Sequence, residues 1–152
     1  MFMQGTLTPQ RRWKIGIVTA RFNSEITERL ETGAYERLLE LGLDQEQIIR
    51  VRVPGAVEIA LAALRLIERE CDAVIALGAV IQGDTKHFDY VCNAVERGCT
   101  EVMLRTKKPV IFGVLTTNDE KQAEERVGGS HGHKGRDAAD CAVEMVNLME
   151  KI

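Results

Sequence analysis

The chain has 152 residues, 45% of them hydrophobic and 28% charged, with a formal net charge of -3. That length suits one domain with a real core, and the composition excludes a disordered chain. The small negative charge excludes broad attraction to nucleic acid or an anionic membrane, and no apolar run approaches the roughly 18 residues of a membrane span.

The N-terminus, Met1 to Gly5, lacks the basic-then-apolar profile of a secretory signal, so a cytoplasmic protein is expected. Residues 1–13 read as an N-terminal arm ahead of a single domain.

Lys14 to Thr19 is the first β-branched apolar run, followed by the loop Ala20-Arg21-Phe22-Asn23. Ile26, Leu30, Ala34, Leu38 and Leu41 then step along one helical face, with Asn23 or Ser24 as the cap and Gly42 as the stop. Ile48 to Val53 alternates, placing Arg50 and Arg52 on one side, which suits an edge strand. After Pro54-Gly55-Ala56, a second helix is predicted to bury Val57, Ala60, Leu61, Leu64 and Ile67.

Ala73 to Val80 is apolar throughout, as a strand covered on both faces should be. A loop from Ile81 to Phe88 leads into a third helix with Val91, Ala94, Val95, Gly98 and Val102 on its inner face. Val110 to Leu115 is the fourth strand, and a short helix is predicted from Asn118 or Asp119 to about Arg126. The glycine-rich stretch Gly128 to Gly135 reads as a flexible connector presenting Lys134, before a last helix buries Cys141, Ala142, Met145, Leu148 and Met149. The order β-α-β-α-β-α-β-α predicts one α/β domain: a four-stranded parallel sheet with helices on both faces.

In such sheets ligands bind beyond the carboxyl ends of the strands. The loop Gly83-Asp84-Thr85-Lys86-His87 enters a helix N-terminus, where Gly83 permits an unusual backbone angle and Thr85 adds a hydroxyl. His87 follows as a group able to exchange protons near neutrality. These residues leave two readings open, a phosphate-and-proton site and a loop that merely caps its helix. Phe22 fits either a ring-stacking platform or packing at the sheet edge. Glu58 fits either a polyol acceptor or a carboxylate favoured by its helix terminus. No G-x-G-x-x-G follows the first strand, and the stretch around Lys134 is not a P-loop, because His133 stands where that motif needs glycine. His131-x-His133 specifies no metal site. Cys71, Cys92, Cys99 and Cys141 form no C-x-x-C pair, and Cys92 and Cys99 share one helical stripe, so free thiols on a buried face are expected.

Taken together, five segments resemble the lumazine synthase family: Lys14 to Val18 leading to Arg21-Phe22-Asn23, Val53-Pro54-Gly55-Ala56-x-Glu58-Ile59, Leu77 to Val91 through Gly83, Thr85 and His87, Pro109 to Thr117, and Glu125-Arg126-x-Gly128 through Lys134-Gly135. They occur in order and span nearly the whole chain. The resemblance implies a flavodoxin-like three-layer sandwich and condensation of 5-amino-6-(D-ribitylamino)uracil with 3,4-dihydroxy-2-butanone 4-phosphate. It implies neither metal nor redox cofactor.

By the same resemblance Phe22 stacks on the pyrimidine, Ala56, Val57 and Glu58 hold the ribityl chain, and Ala79, Val80 and Ile81 present backbone groups to the ring. Asp84, Thr85 and Arg126 bind phosphate, His87 transfers protons, and Phe112 with Lys134 completes the pocket. Homopentamers with sites between subunits are implied, which would bring Arg126 to His87 from a neighbouring subunit. The arm is expected to pack on a neighbouring subunit, and in some members twelve pentamers close into an icosahedral shell. Val57, Ala60, Gln82 and the stretch Gly129 to His133 depart from common family residues. Two other functions fit the same elements: a non-catalytic scaffold or flavin-storing member of the same fold, and an unrelated flavodoxin-like binding module.

Overall fold

A computed structural model describes residues 1–152. Four strands, β1 (Ile15–Ala20), β2 (Ile48–Val53), β3 (Ala73–Ile81) and β4 (Val110–Thr117), form one parallel sheet in the order β2-β1-β3-β4. The register pairs Ile15 with both Ile48 and Ala73, and Val74 with Val110. Every residue of β1 is buried, as expected of a central strand covered on both faces. β2 and β4 are the edges. On β2, Arg52 Nε lies 3.0 Å from Glu31 and Arg50 stacks 4.2 Å above the Tyr35 ring, so the predicted edge arginines neutralise a buried carboxylate.

Helix α1 (Ser24–Leu41) and the last helix α5 (Lys134–Lys151) cover one face, and α2 (Ile59–Arg69) with α3 (His87–Thr106) cover the other. The three-layer flavodoxin-like α/β arrangement expected from the sequence is therefore present. α1 ends as predicted: Gly42 adopts φ 111, and its N–H and that of Leu43 bond back to Leu39 and Leu38.

The buried helical stripes differ from those predicted. In α2 they are Ile59, Ala63 and Ile67, with Val57 and Leu61 exposed. In α3 they are Val95, Cys99 and Val102, with Ala94 exposed. In α5 they run through Gly135, Ala138, Ala139, Ala142, Val143 and Val146, leaving Cys141 and Met149 exposed. For α5 the reason is its contact with α1: small residues let the two helix backbones approach closely, while large apolar residues dominate a periodicity judged by side-chain size. A Cβ on Gly135 would overlap the carbonyl of Leu30.

The glycine-rich connector is ordered rather than flexible. Val127–Gly129 (β5) and Gly132–His133 (β6) pair as a small antiparallel ribbon, with Gly128 and Gly132 at φ 106 and 76. The helix before it, α4 (Glu120–Glu124), is shorter than expected and starts on Asp119, whose carboxylate accepts from the Gln122 N–H at 2.8 Å.

The arm lies along α5 of its own chain. Thr6 N–H donates to Asn147 at 2.9 Å, Trp13 Nε1 donates to Glu150 at 2.7 Å, and Gly5 is buried against the Glu144 backbone. Met1 and Phe2 project into solvent. All four cysteines are free; Cys71 and Cys99 are buried and Cys92 half-buried. Burial pushes the Cys71 and Cys99 thiols up to about 11, so both stay protonated. No helix is long and apolar enough to cross a membrane.

Candidate active site

β1 runs to β2 on one side of itself, and the chain then crosses back to β3 on the other side. Loops leaving β1 and β3 diverge at that point, which opens a crevice at the carboxyl ends. A cavity of about 670 Å³ occupies it, lined by Phe22 and Asn23 after β1, Ala56 to Glu58 after β2, and Ala79 to Ile81, Gly83, Thr85 and His87 from β3 into α3. Of the residues predicted for the site, Phe22, Ala56, Val57, Glu58, Ala79, Val80, Ile81, Thr85 and His87 meet here.

Each wall has a local cause. Asn23 sits in the left-handed region at φ 61, and its side chain donates to the Ala79 carbonyl at 2.8 Å instead of capping α1. That turn leaves Phe22 72% exposed, with its ring free to stack on a planar ligand. After β2, a single 3-10 turn at Ala56–Glu58 leads into α2. The Glu58 carboxylate folds back over the loop, 3.2 Å from where a Cβ on Gly55 would stand. Around Thr85, the hydroxyl accepts from the His87 N–H at 3.3 Å, so it orders the first turn of α3 while its proton remains free to donate. His87 is exposed at that turn. Gly83 does not adopt a positive φ, and a Cβ there would meet nothing within 4 Å, so the loop does not need glycine for its own conformation.

Three predicted residues lie elsewhere. Phe112, Arg126 and Lys134 line a second cavity of about 430 Å³ beside the edge strand β4 and the start of α5, and it shares no residue with the first. Phe112 is exposed on β4. Arg126 is half-buried, and one nitrogen donates to the Gln122 carbonyl at 2.8 Å, which holds the guanidinium while leaving its other donors open. Asp84 is exposed and lines neither cavity. Asn23, Gly55, Phe88 and Val91 also line the larger cavity; the first three lie in the loops expected at the strand ends but had no individual role assigned. Only Asn23 carried a signal, a polar residue tolerant of the left-handed region at a strand–helix junction.

No three His, Cys, Asp or Glu side chains gather where they could share a metal ion. His131 faces Ser130 and Glu125, whereas the His133 ring caps α5.

Fold and crevice together define a three-layer α/β protein with an aromatic, a carboxylate and an imidazole around one cavity, and a second cavity carrying an arginine and a lysine on its flank. A family model described as 6,7-dimethyl-8-ribityllumazine synthase matches residues 12–150. The chain is 52% identical over 139 residues to the 6,7-dimethyl-8-ribityllumazine synthase of Bdellovibrio bacteriovorus, covering 91% of this chain and 76% of that one. It is 50% identical to that of Coxiella burnetii over 92% of this chain and 93% of the relative. For Thermus thermophilus the identity is 46%, over 91% and 89%. The chain belongs to the 6,7-dimethyl-8-ribityllumazine synthase family, enzymes of riboflavin biosynthesis.

Proposed function

We propose that this enzyme condenses 5-amino-6-(D-ribitylamino)uracil with 3,4-dihydroxy-2-butanone 4-phosphate, releasing phosphate and water, in a site completed by a second copy of the chain. The observation carrying this reading is the split of the predicted site into two unlike halves. The larger cavity offers a stacking ring, a polyol acceptor and His87, but no arginine or lysine lines it. A phosphate leaving group needs charge compensation, and the cations Arg126 and Lys134 line the other cavity, each held only loosely by a carboxylate, Glu125 at 3.8 Å and Asp137 at 3.9 Å. Docking the cationic face of one copy against the crevice of the next unites them. Repeated round a ring, that head-to-tail contact closes into a cyclic oligomer, and we assign the pentamer of the family.

In this site Phe22 stacks on the pyrimidine, Glu58 accepts from ribityl hydroxyls, and backbone groups of Ala79 to Ile81 hold the ring edge. The pyrimidine amine attacks the ketone carbonyl to form an imine, and water leaves. His87 moves protons during imine formation and phosphate loss. Thr85, Arg126 and Lys134 receive the phosphate. Phosphate loss leaves an enol that tautomerises to a new carbonyl, and the second amine closes the ring on that carbonyl with loss of a second water. Holding two substrates together supplies much of the acceleration. Asp84, which lines neither cavity, serves through its backbone only. The projecting residues Met1 to Met3 extend the arm towards a neighbouring subunit, and we place the enzyme in the cytoplasm with its cysteines reduced.

The test mixes both substrates with purified protein and follows lumazine formation above the spontaneous rate. No acceleration at neutral pH overturns the enzyme reading. Sharing between subunits is tested by co-assembling His87→Ala and Arg126→Ala chains, each defective alone. Random mixing in a ring leaves about a quarter of the sites with both groups intact. Activity no higher than either parent would show that one chain supplies both.

A further inference from the structure

His133 closes the ribbon β5–β6 and is the residue immediately before α5. Its Nδ1 accepts from the Gly135 and Arg136 N–H groups at 3.2 and 3.3 Å, so the imidazole, rather than a hydroxyl or amide, caps an 18-residue helix. Nδ1 can accept only when unprotonated, which places the ring proton of the neutral form on Nε2. The ring is wedged against α1, because a methyl group on Gly33 would overlap it. β6 pairs His133 with Val127, whose carbonyl accepts from Arg29 of α1 at 2.9 Å. The next amide, Lys134 N–H, donates to the Arg126 carbonyl at 2.8 Å. One side chain therefore joins α1, the ribbon and α5 at the junction that carries both cations of the phosphate half-site.

We propose that the neutral ring of His133 is a latch holding Arg126 and Lys134 in register, and that its protonation opens the latch. This rests on the functional reading above and adds a positioning residue to it. In the imidazolium, Nδ1–H would face two N–H donors at the positive end of the α5 dipole. Charged groups around the ring act in both directions. Arg29 of α1 and Arg136 of α5 oppose a second positive charge, Asp137 of α5 favours it, and Glu25, Glu28 and Glu36 line the α1 side of the same cleft. Burial first, and then Arg136 and Arg29, outweigh Asp137 and hold the imidazole below the ordinary histidine value of 6.5. The sign follows: the latch is intact above 6.5 and is lost as pH falls through the depressed value.

Two measurements test this. Hydrogen exchange on the intact assembly, normalised for intrinsic rates, is expected to show protection of residues 133–137 falling several-fold, at most about tenfold, between pH 7.5 and 5.5, with α2 unchanged. Protection independent of pH overturns the latch, and this arm needs neither substrate nor variant. For the KM of the phosphorylated substrate, His133→Ala is expected to raise it at neutral pH, and His133→Asn to restore it, because an amide oxygen caps without titrating. The wild-type KM should rise several-fold more on acidification than that of H133N, whereas titration of His87 and of the substrate phosphate is common to both proteins. Parallel profiles overturn the proposal. If no lumazine forms in any protein, the functional reading fails and hydrogen exchange still decides the latch.

Discussion

Asn23 donates its side-chain amide to the carbonyl of Ala79, tying the loop after β1 to the carboxyl end of β3 across the floor of the crevice. The bond bridges the two sides of the switch point and fixes the backbone beside Phe22. Asn23→Ala is expected to cost about 2 kcal/mol, combining a lost hydrogen bond with an alanine forced to φ 61. Asn23→Gly relieves the backbone part only. Chemical denaturation ranks the two, and equal losses would show that the hydrogen bond alone matters.

His87→Ala is expected to lower kcat about ten- to a thousandfold while lumazine still forms above the spontaneous rate, since proximity survives the loss of a proton carrier. Steady-state kinetics at saturating substrates measure it. Unchanged turnover removes His87 from the mechanism.

Arg126→Ala is expected to raise KM for the phosphorylated substrate roughly ten- to a hundredfold, the range of a charge-assisted hydrogen bond, with little change for the pyrimidine. Arg126→Lys should restore the positive charge but not the guanidinium fork or its tether to the Gln122 carbonyl, and fall between. Equal effects on both substrates would mean that Arg126 shapes the whole site instead.

Gly135→Ala probes the contact of α1 with α5. Its methyl would overlap the Leu30 carbonyl, a backbone atom that cannot rotate away. A loss of about 1–3 kcal/mol is expected, seen as a fall of roughly 2–9 °C in Tm. A neutral effect would show that the two helices can slide apart.

Much of this was legible in the sequence because strands announce themselves by composition. β1 and β3 are apolar along their length, and β2 shows its edge position through Arg50 and Arg52. The crevice residues followed from where such strands end. What escaped detection was built from small residues or very short elements. Strands as brief as β5 and β6 have no period to read, so Gly128 to Gly135 looked like slack chain. In α5, the apolar weight of Met145, Leu148 and Met149 outvoted the alanines that carry the contact. The exposed positions Val57 and Leu61 read as core because pattern reports apolar character and not what covers it. That Arg126 lies apart from His87 followed from its place after the last strand, whereas the grouping of Phe112 and Lys134 with it is a fact of three dimensions that no spacing encodes.

The arm has an optical consequence. Trp13 is the protein's single tryptophan, 1% exposed, and bonded to Glu150 just before β1 begins. It therefore sits at the end of the sheet opposite the crevice, roughly 20 Å away by the rise of a six-residue strand. Its emission reports whether residues 1–13 remain seated on α5. A red shift that precedes the loss of helical circular dichroism would mark the arm peeling away while the sheet and its crevice stay folded.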